Sequence, residues 1–185
     1  MLAVGGGGIS STGSENMTEI IWIGRGGQGA FTAAKLLGAA YAGEGRFSLA
    51  FPSFGPERRG APVRSFTKLS DSPINDRSQT ARARHIVLLD RTLYDRSLHA
   101  LLTEGGTIIV NSPESIEDTV TFDGDSIARE LRLPTVNTIM SGVLCGLYGT
   151  VSKEELFSAV EGVMPKKLHE KNKAAIERAF DEVGG

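Results

Sequence analysis

Cysteine occurs once in the 185 residues, at Cys145. That excludes an internal disulfide and any four-cysteine iron–sulfur or zinc site built by this chain alone. Histidine is almost as scarce: His85, His99 and His169 stand far apart and without metal-ligand spacing, so no metal centre and no Ser-His-Asp order is expected. No charge of one sign accumulates. A formal net charge of -2 gives no electrostatic case for nucleic acid or an anionic membrane. Long apolar runs are lacking too: none approaches the roughly 20 residues that span a bilayer, and the N-terminus lacks the basic flank and apolar stretch of a secretory signal.

What remains is an ordinary composition, 40% hydrophobic and 23% charged, and a length that suits one domain with one core. The 23 glycines fall mainly at the ends of apolar segments, where they read as turns and close backbone approaches. Cys145 lies in the apolar stretch Val143-Leu144-Cys145-Gly146-Leu147 and reads as a small buried filler, with a reactive thiol as the alternative.

Residues 1–16, MLAVGGGGISSTGSEN, read as a flexible leader, and 17–185 as a single domain for which Met17 is a candidate natural start. Residues 19–23 form a short apolar strand. Residues 30–42 carry Ala33, Leu36, Leu37, Ala40 and Tyr41 on a helical period. Strands follow at 47–51 and 63–69, separated by a proline- and glycine-rich loop. Residues 85–89 are a continuous apolar run of the kind buried on both faces of a parallel sheet. A helix over 92–103, a turn at Gly105-Gly106 and a strand over 107–110 come next. A short strand at 120–122, a helix at 125–131 and a buried apolar helix at 139–148 complete the middle of the chain. Ser152 and Glu155 have capping-box spacing for a helix over 153–163, and 168–183 forms the last helix. This alternation implies a three-layer α/β fold, mainly parallel, with helices on both faces of a Rossmann-like sheet.

Gly24-Arg25-Gly26-Gly27-Gln28-Gly29 matches G-x-G-x-x-G between a strand and a helix. Dinucleotide binding, anion binding or contact with a partner's cofactor, and a purely structural turn all remain open. The dinucleotide reading lacks the acidic residue expected at the end of the second strand, where Phe51 is followed by Pro52. Pro52-Ser53-Phe54-Gly55-Pro56-Glu57-Arg58-Arg59-Gly60-Ala61-Pro62 leaves the carboxyl end of a strand, where open α/β sheets place ligands. Its arginine pair suits phosphate or carboxylate. A solvated basic turn, with Glu57 paired to an arginine, is the bland alternative. Asn111, Asn137 and Asp90 stand at apolar-segment ends, each either at the same sheet edge or capping local backbone.

These segments together closely resemble the gamma subunit, or gamma domain, of pyruvate:ferredoxin oxidoreductase and its 2-oxoacid relatives. Asn137-Thr138-Ile139-Met140-Ser141-Gly142 and Lys171-Asn172-Lys173-Ala174-Ala175 extend the likeness across residues 18–183. The resemblance implies a subunit of a cytoplasmic heteromultimer of anaerobic metabolism that is inactive alone. Such a complex converts a 2-oxoacid and CoA to acyl-CoA and carbon dioxide, with reduction of ferredoxin or another acceptor. It also implies thiamine-binding alpha/beta-type and ferredoxin-like partner chains, which hold thiamine diphosphate and iron–sulfur clusters, and CoA at a shared site. By analogy Gly26, Gln28 and Gly29 face CoA or a neighbouring subunit, and Phe54, Glu57, Arg58 and Arg59 form the loop nearest the active site. Asn137 borders the same cleft. A free-standing Rossmann-type nucleotide-binding oxidoreductase is the alternative.

Overall fold

The computed structural model describes residues 17–43, 45–53 and 60–184. The proposed leader, and Phe54, Glu57, Arg58 and Arg59 of the proline–arginine loop, lie outside the described residues.

The chain begins with β1 (Met17–Arg25), α1 (Ala30–Tyr41), β2 (Phe47–Pro52) and β3 (Pro62–Ser70). It continues through β4 (Ala83–Leu88), β5 (Leu102–Asn111), β6 (Val120–Phe122) and α2 (Gly124–Glu130). It closes with α3 (Asn137–Tyr148), α4 (Lys153–Val163) and α5 (His169–Val183). The sheet runs β2-β3-β1-β4-β5-β6. Pairs β1–β4, β4–β5 and β5–β6 are parallel, whereas β3 is antiparallel to both β1 and β2. The reason for the exception is local. The link from Pro52 to Pro62 is too short for a crossover of a dozen or more residues, so the chain turns straight back beside β2. The mainly parallel α/β architecture stands, with one reversed strand.

Alternation along the strands divides the core in two. Ile20, Trp22, Leu69, Val87, Leu89 and Ile109 face the five α-helices. Ile21, Ile23, Phe66, Ile86, Leu88, Ile108 and Val110 face the other way. There they meet Leu98, Leu93, Tyr94 and Leu101 from two short 3-10 turns, Arg91–Leu93 and Arg96–Leu101. The expected helix over 92–103 is therefore this pair of turns. Asp90 accepts from the Thr92 amide and Asp95 from the Ser97 amide, so the chain is capped twice and restarts before an α-helix can propagate. The expected glycine turn at 105–106 lies inside β5. The β4–β5 register slips between Ala83–Leu102 and His85–Thr107, and the extra residues bulge there.

On the helical side α3 and α5 pack almost backbone to backbone. A Cβ on Gly142 would stand 2.9 Å from the Ala179 Cβ and 3.3 Å from the Ile176 Cα, so only glycine fits without displacement. Cys145 on the same helix is 1% exposed, and burial pushes its thiol up to about 12, which fits the filler reading. The Trp22 indole donates to Thr67 Oγ1 at 3.0 Å, and that hydroxyl donates to the Ala34 carbonyl, joining β1, β3 and α1 inside the core. Lys68 is buried on the opposite face. Its Nζ lies 2.9 Å from Asp76 Oδ2 and 3.3 Å from Glu19 Oε1, which ties the β3–β4 connection across the sheet.

Candidate functional site

The sheet changes winding direction at β1: the chain leaves it through α1 toward β2 on one side, while β4 pairs with it on the other. In open α/β sheets the carboxyl ends of strands at such a switch form a natural crevice. Here those ends are Gly24-Arg25 from β1 and Leu89-Asp90 after β4. The Leu89 amide donates to the Ile23 carbonyl at 2.8 Å, which carries the pairing one residue past the strand.

The glycine turn joins β1 to α1. Gly29 caps the helix with φ 81° and ψ 33°, and no side chain caps it. A Cβ on Gly29 would meet the Asn137 Nδ2 at 2.5 Å. Glycine is therefore required twice over, by the left-handed backbone and by the asparagine seated against it. Asn137 Nδ2 donates to the Gly29 carbonyl at 3.3 Å, and Asn137 Oδ1 accepts from the Thr138 amide and the Thr135 hydroxyl. Behind it, the Thr138 hydroxyl donates to Asn172 Oδ1, and Asn172 Nδ2 to the Leu168 carbonyl. The chain of bonds ties the start of α1 to α3 and α5.

Gln28 and Arg25 converge on Asp90. Gln28 Oε1 accepts from the Arg25 amide at 2.6 Å, and Gln28 Nε2 donates to Asp90 Oδ2 at 3.1 Å. Arg25 Nε donates to the same oxygen at 3.3 Å. Asp90 Oδ1 accepts from the Thr92 amide and hydroxyl. Burial alone would raise the Asp90 carboxyl. Hydrogen bonds from Thr92 and Gln28, with the charge of Arg25, outweigh that and hold it below the usual carboxylate range.

The far side of the proline–arginine loop returns to this point. The Gly26 amide donates to the Ala61 carbonyl at 2.9 Å, and Arg25 Nη1 to the Gly60 carbonyl at 3.0 Å. On the near side, the Ser53 amide donates to the Arg64 carbonyl at 2.9 Å. Gly26 thus contributes close backbone approach, since its own N–H is engaged.

Two clefts flank the segment Leu133-Pro134-Thr135. One of about 460 Å³ is lined by Gln28, Leu89, Asp125, Arg129 and Val136. The other, of about 280 Å³, is lined by Thr32, Lys35, Asn137, Met164, Leu168 and Asn172. Gln28 and Asn137 therefore border adjoining clefts. A larger groove of about 510 Å³ lies at the far end of α1 against α4, lined by Ala39, Ala42, Gly43, Gly162 and the Arg46–Glu155 pair. Its polar lining is Arg46, Glu154, Glu155 and Ser158, with Arg46 already paired to Glu155, and none of the site residues expected from the sequence borders it.

Of the eight site residues expected from the sequence, the structure brings Gly26, Gln28, Gly29 and Asn137 together. Phe54, Glu57, Arg58 and Arg59 are outside the described residues. Asn111 proves internal: its Nδ2 donates to the Leu89 carbonyl and its Oδ1 accepts from the Gly124 amide. Sequence reasoning passed over Arg25 and its pairing with Asp90. The signal was an arginine inside a glycine turn and an aspartate closing a parallel strand, since adjacent parallel strands bring their carboxyl ends side by side. Among the described residues no three His, Cys, Asp or Glu side chains converge as metal ligands, and no helix is long and apolar enough to cross a membrane. The dinucleotide alternative loses ground here, because reversed β3 separates β2 from β1 and removes the adjacent strand end where a ribose carboxylate would stand.

Residues 19–182 match the family model for pyruvate ferredoxin/flavodoxin oxidoreductase. The pyruvate synthase subunit PorC of Methanothermobacter thermautotrophicus is 40% identical over 173 residues, covering 90% of this chain and 96% of its own. The common gamma subunit of the pyruvate/ketoisovalerate oxidoreductases of Thermococcus kodakarensis is 40% identical over 179 residues, covering 90% and 97%. The crystal structure of the pyruvate oxidoreductase subunit PORC of Thermotoga maritima superposes with a TM-score of 0.77 at 30% identity, over 90% of this chain and 97% of that one.

Proposed function

The chain belongs to the pyruvate ferredoxin/flavodoxin oxidoreductase family as the gamma subunit of a 2-oxoacid oxidoreductase complex, and on that footing we propose that its switch-point surface forms one wall of a CoA-dependent site shared with its partners. One cysteine and three scattered histidines do not fit an iron–sulfur cluster, so the redox groups belong on other chains. In this reading thiamine diphosphate on a partner would supply the activation that releases carbon dioxide from the 2-oxoacid, clusters on a partner would accept the two electrons, and CoA would take the acyl group. The partners are thiamine-binding and ferredoxin-like subunits.

This chain's contribution is binding and orientation. The first-turn N–H groups of α1, without a side-chain cap, favour an anionic group. Gln28 and Asn137 border the two clefts, and Arg58 and Arg59 supply charge suited to CoA phosphates or to a partner carboxylate. Phe54 and Glu57 of the same segment are further candidate contacts by the family likeness. The observation that carries the reading is the return of that loop onto the glycine turn, through Gly26 to Ala61 and Arg25 to Gly60. The two segments that most resemble the family thus meet at one sheet edge.

Anaerobic purification of the tagged chain from its own cells, followed by native mass spectrometry, tests the assembly. Thiamine- and iron–sulfur-bearing chains should accompany it, and a solitary chain retaining a dinucleotide would overturn the reading. Within the assembled complex, Arg58→Ala or Arg59→Ala should raise the KM for CoA by about tenfold or more through loss of a charged hydrogen bond. An unchanged KM in both variants would remove CoA from the loop.

A further inference from the structure

Arg25 occupies a variable position of the glycine motif, yet its guanidinium uses three separate nitrogens to join two segments that are remote from each other in the chain. Nε donates to Asp90 at the end of β4, Nη1 to the Gly60 carbonyl before β3, and Nη2 to the Thr92 hydroxyl at 2.7 Å. Its backbone amide, meanwhile, holds the Gln28 side chain, whose other end rests on the same Asp90 oxygen. We propose that Arg25 is a positioning residue of the CoA-dependent reaction: it locks the return at Gly60-Ala61 and the Gln28 amide into one geometry at the switch point, with Asp90 as the shared anchor.

The argument is one of shape as well as charge. A guanidinium presents its donors in a fixed planar fork, so the Asp90–Thr92 cap and the Gly60 carbonyl are fixed relative to one another. An ammonium on a flexible stem supplies the same charge without that fork. Asp90 is only partly exposed and Arg25 retains about a third of its side-chain exposure, so Coulomb attraction between them is screened and direction matters more than the ion pair. The acceptor on the second segment is a backbone carbonyl, which no substitution in the Gly60 return can remove. A solvated surface arginine has no need of such partners. The position also explains why Gly26 can stand so near Ala61: the guanidinium holds Gly60, the residue before Ala61, while the Gly26 amide donates its hydrogen bond to the Ala61 carbonyl.

The proposal rests on the shared-site reading, and the test separates the two. In the assembled complex, Arg25→Lys and Thr92→Val are compared with the unchanged protein by hydrogen exchange at the Gly26 amide, which reads its bond to Ala61 without reference to CoA. Exchange at Gly26 should rise by about tenfold in Arg25→Lys and less in Thr92→Val, as expected for loss of hydrogen bonds to a charged group. The KM for CoA should rise in parallel, more than kcat at saturating CoA falls, with thermal stability and subunit composition retained. Unchanged exchange in Arg25→Lys overturns the positioning role. Raised exchange with an unchanged KM for CoA, in a complex where Arg58→Ala or Arg59→Ala does raise it, overturns the link to the reaction. If none of these variants alters that KM, the shared-site reading has failed, and the functional half of the proposal fails with it.

Discussion

Gly29 shows how much one residue can be constrained. Its φ of 81° lies where a side chain is strained, and Asn137 fills the space a Cβ would take. Replacing it with alanine should therefore destabilise the protein by about 2 kcal/mol, strain and clash together. For a chain of this size that lowers Tm by roughly 4–8 °C. The clash can be isolated: in an Asn137→Ala background, Gly29→Ala should cost less than it does alone, because residues in contact are not additive. Equal costs in both backgrounds, measured by thermal melts of the four proteins, would show that Asn137 does not press on the turn. The glycine itself was legible from the motif. Its partner, more than a hundred residues away, was suspected only as a sheet-edge asparagine.

At the scale of an element, α4 is the clearest case of local sequence writing local structure. Ser152 accepts from the Glu155 amide at 3.1 Å and Glu155 Oε2 accepts from the Ser152 amide at 2.7 Å, the reciprocal box expected from the spacing. Ser152→Ala should cost about 1 kcal/mol, read as a lower Tm. What the spacing could not reveal is that Glu155 also pairs with Arg46, just ahead of β2. The Ser152 backbone amide first, and then Arg46, hold the Glu155 carboxyl below its ordinary value. A depressed carboxylate stabilises above its unfolded pKa, and that contribution is lost as pH falls through the folded value. Glu155→Gln should accordingly lower Tm at neutral pH, with the difference shrinking under acid. A difference that persists under acid would assign the effect to packing. The segment 91–101 teaches the converse. Its composition suited a helix, but Asp90 and Asp95 each offered a competing cap, and the two 3-10 turns that result are what cover the second face of the sheet.

The whole molecule responds to pH through His85, at the amino end of β4. Its ring bonds Thr107 Oγ1 at 2.8 Å and stacks on Tyr148 with centroids 4.4 Å apart. Burial first, and the charge of Arg84 second, lower its pKa to about 4 from 6.5. Between those two values the unfolded chain binds a proton that the folded protein refuses, so stability rises as pH rises through the window. Tm should increase from pH 4 to 6.5, and His85→Gln should flatten the upper part of that rise, above the carboxylate range. An unchanged slope would show that His85 protonates freely in the native state. At this scale the division between sequence and tertiary structure is plain. Periodicity and glycine placement determined the α/β class, the buried run of β4 and the strand–turn–helix setting of Gly24 to Gly29, because each depends on neighbours in the chain. The motifs around it, read together, determined the family. Strand order, the reversal of β3, and the meeting of Arg25, Gln28, Asp90 and Gly60 were decided only in three dimensions. These contacts join residues up to 65 positions apart in the chain, and no local preference encodes which strand ends will lie side by side. That is a matter of how the sheet is ordered and how its two faces are covered.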